Sequence, residues 1–119
     1  MATILLIDDD ASIRMIFQVT LERAGHHVLT AEHGKHGLRL SEHQAVDLII
    51  VDIFMPELDG FELIPLLRES YPASKIIAIS GVSGEGNYLD AAKYLGAHDT
   101  LKKPFSPQEL LDTVGAQLP

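Results

Sequence analysis

The 119-residue chain reads as an α/β fold, a doubly wound parallel sheet of five strands in the order 2-1-3-4-5 with five helices. Three observations predict it. Apolar runs and segments of helical period alternate to the end of the chain, with turn-forming residues between them. Each pair of strands is therefore joined through a helix, which implies parallel strands and right-handed crossovers. The first, third and fourth runs are apolar throughout, as strands covered on both faces must be, whereas the second and fifth are shorter and more polar and belong at the edges.

Residues 3–8 form the first strand. Ile13, Ile16, Phe17, Thr20, Leu21 and Ala24 then recur at helical spacing, and Gly25 stops the pattern. A short second strand covers 26–31. Residues 34–43 are weakly periodic and carry Gly34 and Gly37, which makes this the least regular of the expected helices. The third strand covers 46–52. A loop through Met55-Pro56 and Asp59-Gly60 leads to a helix over 61–70, which Pro65 should bend or delay.

The fourth strand, 75–80, runs into a glycine-containing loop, 81–86. Leu89, Ala92 and Leu95 keep a helical repeat that Gly96 ends, and Tyr88 and Tyr94 are expected there as partly buried aromatics. The fifth strand covers 99–102. The last helix has a marked start, with Ser106 as N-cap, Pro107 in the first position and Glu109 completing a capping box ahead of Leu110, Leu111, Val114 and Leu118.

A chain of this length is expected to be one domain, 1–119, with a core that needs no staples. It has no cysteine, so thiolate metal sites, disulfides and thiol nucleophiles are excluded. Nine basic residues against seventeen acidic ones leave a net charge of −8, which opposes attraction to phosphate backbones and argues against direct nucleic-acid binding. No leader-like or membrane-spanning run is visible, and a cytoplasmic protein is expected.

The acidic residues are not scattered. Asp8, Asp9 and Asp10 stand where the first apolar run stops, and Asp52 ends the third. In the predicted strand order these two strands are neighbours at the point where the winding reverses, the edge at which open α/β sheets place their ligands. Two carboxylates ~4 Å apart repel by ~4 kcal/mol at an effective dielectric near 20. That is a large part of the ~5–15 kcal/mol that holds a small domain together. The strain must be relieved by protonation, by a lysine or by a hard divalent cation such as Mg²⁺. Ser80, followed by Gly81, and Lys103, followed by Pro104, end the fourth and fifth strands at the same edge.

Four segments in order, Leu-Leu-Ile-Asp-Asp-Asp, Asp-Leu-Ile-Ile-Val-Asp-Ile-Phe-Met-Pro-Glu-Leu-Asp-Gly, Ile-Ser-Gly and Lys-Lys-Pro-Phe, each follow or end a strand. Together they resemble the receiver domain of two-component response regulators, a flavodoxin-like module, over essentially the whole chain. The resemblance implies that Asp52 accepts a phosphoryl group from a histidine kinase or histidine phosphotransfer protein. It implies Mg²⁺ or Mn²⁺ held by Asp9, Asp52 and the backbone carbonyl of Phe54, with Asp8 binding through water. Ser80 and Lys103 would engage phosphoryl oxygens, helped by the Phe54 and Gly81 amides, and Pro104 would be cis. The output would pass through the surface of the fourth helix, fifth strand and fifth helix to an unknown downstream protein. With no output segment after Pro119, that effect is expected to need a partner or a further domain.

Asp10 is open to two readings, a place at the pocket rim or service to the start of the first helix. The chain departs from the family at Thr100, where an aromatic residue usually stands three positions before the lysine; loop repacking alone would then carry the signal. Phe54 and Val82 flank the expected phosphoryl position and are apolar, which should hinder an attacking water. His33, His36 and His43 could share a helical face and His26-His27 are adjacent, but no activating partner stands at a defined spacing; surface placement is expected. The competing functions are an interaction module that no longer depends on phosphorylation and a Mg²⁺-dependent phosphohydrolase with an aspartyl intermediate. A flavin-binding protein is disfavoured because the first loop is acidic where a phosphate needs amides.

Overall fold

The computed structural model of the chain describes residues 1–55, 60–81 and 88–119. Five parallel strands, β1 (Thr3–Ile7), β2 (His27–Ala31), β3 (Leu48–Asp52), β4 (Lys75–Ser80) and β5 (Asp99–Lys102), form one sheet in the order β2-β1-β3-β4-β5. This is the expected order. Helices α1 (Ala11–Arg23), α2 (Gly34–Arg39), α3 (Gly60–Ser70), α4 (Tyr88–Leu95) and α5 (Pro107–Gln117) connect and close it.

Alternation along the strands divides the core in two. Leu5, Ile7, Ile49, Val51, Ile76 and Ala78 pack with Leu63, Ile64 and Leu67 of α3 and Ala92 of α4. The intervening residues Ile4, Leu6, Leu48, Ile50, Ile77 and Ile79 pack with Phe17 and Leu21 of α1 and Leu110 and Val114 of α5. Both faces of β1, β3 and β4 are thus covered, which is why the interior positions of these strands are all apolar. Each fully buried Leu or Ile contributes ~1.5–3 kcal/mol. The sheet is held from both sides.

Register does the rest. Ile7 lies level with Val51, so the residues that follow, Asp8 and Asp52, emerge side by side. Asp52 lies level with Ile79, one residue before Ser80, and Ser80 lies level with Lys102, one residue before Lys103. Four strands deliver their polar ends to one edge.

The helix ends follow local chemistry. Gly25 has φ +98° just beyond the C-cap of α1, and Gly96 has φ +129° after α4, so each occupies the left-handed region that favours glycine. Ser106 accepts from the Glu109 amide at 3.0 Å while the Glu109 carboxylate accepts from the Ser106 amide at 3.0 Å, the predicted capping box. The segment 34–43 is broken: α2 ends at Arg39 and a 3₁₀ turn, Leu40–Glu42, follows. His43 therefore leaves the helical face proposed for it. His33 serves instead as N-cap, its Nδ1 accepting from the His36 amide at 3.1 Å.

Pro65 neither delays nor ends α3, which starts at Gly60 and runs five residues past it. Burial of Leu63, Ile64 and Leu67 against the sheet outweighs the one amide donor the proline lacks. Tyr94 corrects a further expectation. It is 91% exposed, because it lies two residues from the buried Ala92 and so points away from the sheet. The side chain of Tyr88, and Pro56, Asp59 and Val82, lie outside the described residues. None of the helices among the described residues is long and apolar enough to cross a membrane.

His98 extends the β4–β5 pairing by one residue ahead of the first residue of β5. Its amide donates to Ile76 O at 2.7 Å, and its Nδ1 accepts from the Ile76 amide at 3.0 Å. Burial, then the charges of Arg68 and Lys75, hold its imidazole below the ordinary value of 6.5. A histidine depressed in the folded state is neutral at full stability above the unfolded value, and stability falls as pH drops from there through the folded value. His98→Asn, whose amide oxygen can still accept from Ile76, should flatten that loss. Denaturant midpoints compared between about pH 7.5 and about pH 5 check it, and identical slopes in both proteins would count against it.

Candidate functional site

The site is built on the turn between β1 and α1. Asp8 Oδ1 accepts from the Asp10 amide at 2.9 Å, which closes a tight turn immediately after the strand. Asp10 caps α1, its Oδ1 accepting from Ser12 N at 2.9 Å and Ile13 N at 3.2 Å. Its carboxylate thus serves the helix start, the second of the two readings. The Asp8 carbonyl accepts from the Arg14 guanidinium at 2.7 Å. Asp9 is left exposed between two tied neighbours.

Carboxylate oxygens of Asp8, Asp9 and Asp52 lie within 4.8 Å of one another. Asp8 and Asp52 are buried, and Asp52 Oδ1 accepts from the Phe54 amide at 3.0 Å. Lys103 Nζ stands 3.5 Å from Asp8 Oδ2 and 3.4 Å from Asp52 Oδ2. Both distances exceed the ~2.7–2.9 Å of a full charge-assisted bond, so the lysine is shared between the two acids and locked to neither. Among the described residues, Asp8 Oδ2 is buried without a hydrogen-bond partner.

That orphaned oxygen tests the fit of a cation. Among the described residues, these three carboxylates and the one ammonium carry a net charge of −2, and the donors are all hard oxygens. Such a set suits Mg²⁺ or Mn²⁺. The residues present fit the ion.

Ser80 is buried at the end of β4, and its carbonyl accepts from the Lys103 amide at 2.8 Å. The peptide bond between Lys103 and Pro104 is cis. A Cβ at Gly81 would come 3.3 Å from Lys103 Cδ, so the absence of a side chain there leaves room for the lysine stem. This close approach was not anticipated; the Ser-Gly pair ahead of a loop was its only trace in the sequence. Arg14 was likewise missed, although its place four residues after Asp10 is a recognisable helical spacing. Phe54 is 38% exposed and sets its ring edge-on to Phe61, with centroids 6.2 Å apart. Thr100 is half-buried, and its amide donates to Asp99 Oδ1 at 2.8 Å.

Among the histidines, His33 and His36 both approach the exposed Glu32, at 3.5 and 3.1 Å. Hydrogen bonding, first from its own backbone amide and then from His36, holds the Glu32 carboxyl below its ordinary value. Neither histidine reaches the acidic cluster.

Burial is the largest influence on Asp8 and pushes its carboxyl above the ordinary range. Repulsion from Asp52 and Asp9 acts in the same direction, while the Asp10 amide and Lys103 oppose it. A raised carboxyl is a cost to the fold: stability declines as pH rises from the unfolded carboxylate value through the folded one, and the penalty is complete above the folded value. In metal-free protein at pH ~7, Asp8→Asn should therefore gain ~1–3 kcal/mol, read as a higher denaturant midpoint. An unchanged or lower midpoint would show that the cluster is not strained.

Residues 4–115 match the family model described as the response regulator receiver domain. The chain is 37% identical over 115 residues to the alkaline phosphatase synthesis transcriptional regulatory protein PhoP of Bacillus subtilis, covering 97% of this chain and 48% of that protein. It is 37% identical over 117 residues to the probable transcriptional regulator ycf27 of Guillardia theta, covering 97% and 44%. The chain thus spans about half the length of these curated relatives. Among solved structures, chemotaxis protein CheY4 of Vibrio cholerae superimposes with a TM-score of 0.90 at 34% identity, over 99% of both chains. A response regulator receiver domain protein from Clostridium thermocellum gives 0.89 at 31%, over 98% and 94%. The chain belongs to the receiver domains of two-component response regulators.

Proposed function

We propose that Asp52 is the phosphoryl acceptor of a two-component relay and that this single domain, 1–119, is the switch that its phosphorylation sets. One observation carries the reading: three carboxylates and Lys103 converge on the edge where β1, β3 and β5 end, with Asp52 already beside the lysine. In the transfer, a carboxylate oxygen of Asp52 attacks phosphorus in line. The bond from phosphorus to the imidazole nitrogen of a phosphorylated histidine kinase or histidine phosphotransfer protein breaks, and the imidazole leaves with the electron pair. Positioning and charge do most of the work in such a reaction.

Asp9, Asp52 and the Phe54 carbonyl would hold Mg²⁺, with Asp8 acting through water, and the bound ion would offset charge on the phosphoryl oxygens. Lys103, which now divides itself between Asp8 and Asp52, would pair with one phosphoryl oxygen. The Ser80 hydroxyl would donate to another. The amides of Phe54 and Gly81 are the backbone donors proposed to cradle the group. The chain assists its own phosphorylation and dephosphorylation and has no foreign substrate in this reading.

The output surface is proposed to be α4, β5 and α5, on which Lys93, Tyr94 and Lys102 are exposed. Thr100 replaces the family's aromatic residue there, so repacking of the loop after Gly81 carries the signal. The net charge of −8 favours a protein partner over nucleic acid for this segment. The relatives' names, transcriptional regulators, are compatible with a downstream partner or domain that supplies DNA binding.

Incubation with Mg²⁺ and a small phosphodonor, followed by intact-mass measurement, should add one phosphoryl group to the wild type and none to Asp52→Asn. Chelation of the metal should abolish the labelling. Equal labelling of both proteins would remove Asp52 from its role, and a wild type that never labels would favour a phosphorylation-independent interaction module.

The life of the product is a separate test. Phe54 is apolar, its amide donates to the acceptor carboxylate and its ring packs edge-on to Phe61, an arrangement proposed to exclude water. Phe54→Asn should shorten the half-life of the aspartyl phosphate by about three- to tenfold, the equivalent of ~0.7–1.4 kcal/mol in the barrier. Decay followed by mass gives the number, and an unaltered half-life would dismiss the shielding role.

A further inference from the structure

The three aspartates of the first turn have to be held in three different postures, and the sequence offers no glycine or proline to impose them. Asp8 and Asp10 spend side-chain oxygens on the turn itself, one on the Asp10 amide and one on the amides of Ser12 and Ile13. The backbone carbonyl of Asp8 is a separate problem. It lies one residue beyond the last paired position of β1, where Ile7 faces Ala31 on one side and Val51 on the other. The Asp8 amide still reaches Ala31 O at 3.2 Å, but the Asp8 carbonyl accepts from Arg14, at 2.7 Å.

Arg14 touches the triplet twice. Its backbone amide donates to Asp10 O at 3.0 Å, and its guanidinium donates to Asp8 O at 2.7 Å. The half-buried side chain thus holds the first residue of the turn, the backbone of the same residue holds the last, and Asp9 is left as the one whose position follows from the other two. Among the described residues, Arg14 forms no ion pair with any carboxylate. Its bond is to backbone.

We infer that Arg14 is a positioning residue for the metal site, a clamp that fixes the Asp8–Asp10 turn so that Asp8 and Asp9 face Asp52. The inference rests on the proposed metal-binding role of these acids and adds to it a residue outside the acidic set. Position and charge make opposite demands here. A guanidinium acting only through its charge would repel a divalent cation, and its removal would tighten binding. A clamp works the other way, because without it the two ligands must be ordered at the cost of binding.

Calorimetric titration of unphosphorylated protein with MgCl₂ at fixed ionic strength separates the two. Arg14→Met keeps the stem and removes the donors, and should weaken Mg²⁺ binding about tenfold or more. Arg14→Lys keeps the charge but not the planar fork, and should fall between Met and wild type. Arg23→Met removes an exposed charge from the same helix and should match wild type. Melting curves identify the temperature at which each variant is folded, and the Lys variant carries the test if the Met variant does not fold. Binding in Arg14→Met equal to or tighter than wild type would overturn the clamp. Absence of Mg²⁺ binding in the wild type would instead remove the metal-site reading beneath it.

Discussion

The like-charge contact between Asp8 and Asp52 is the constraint around which the rest of the molecule is arranged. Both carboxylates are buried, both lie within 4.8 Å of each other and of Asp9, and one ammonium serves them at 3.4 and 3.5 Å. At such separations repulsion of a few kcal/mol is unavoidable. The arrangement persists because the strands that carry it cannot yield: β1 and β3 are paired in the interior of the sheet and packed on both faces by aliphatic side chains. Stability is concentrated in the sheet, and the unfavourable electrostatics are confined to its edge.

The same division explains how the edge is kept in order. Asp8 cannot drift, because its Oδ1 is bound by the Asp10 amide and its carbonyl by Arg14. Asp10 is occupied with the helix start. On the far side, Lys103 is fixed through its backbone to Ser80 and has its stem against Gly81. Asp8 and Lys103 are thus each held by a main-chain bond that does not depend on side-chain charge. A change of charge in the pocket can then alter side-chain partners before it disturbs the strands.

Much of this was legible in the sequence. Apolar runs covered on both faces marked the interior strands, and polar residues at or just after strand ends marked the edge where Asp52, Ser80 and Lys103 now stand. What escaped depends on geometry that periodicity does not encode. The bond from Arg14 to a carbonyl six residues earlier involves a backbone acceptor that every residue possesses. The role of Asp10 could be narrowed only once the turn was closed. Tyr94 was different: its exposure was implied by the repeat of Ala92 and Leu95, which places it on the opposite face, and the aromatic character of the residue outweighed that evidence. The early end of α2 fits the poor helix propensity of Gly34 and Gly37, the second of which is kept small by packing, since a Cβ there would meet Ile7 Cδ1 at 2.6 Å.

Under the proposed reading, phosphorylation acts on an already negative pocket. A phosphoryl group adds about −1.5 to −2 of charge, comparable to the −2 that remains after Lys103 is counted. Two responses are available to the chain: a bound cation and the reassignment of Lys103. The second has a structural consequence. Lys103 cannot turn from Asp8 and Asp52 toward a new partner without sliding its stem along Gly81, and its amide is tied to the carbonyl of Ser80. Gly81 and Ser80 are the residues from which the chain leaves β4 on the way to α4. A charge introduced at Asp52 is thus felt first at the root of that connection, which is where a receiver without an aromatic residue at position 100 would have to begin its conformational change.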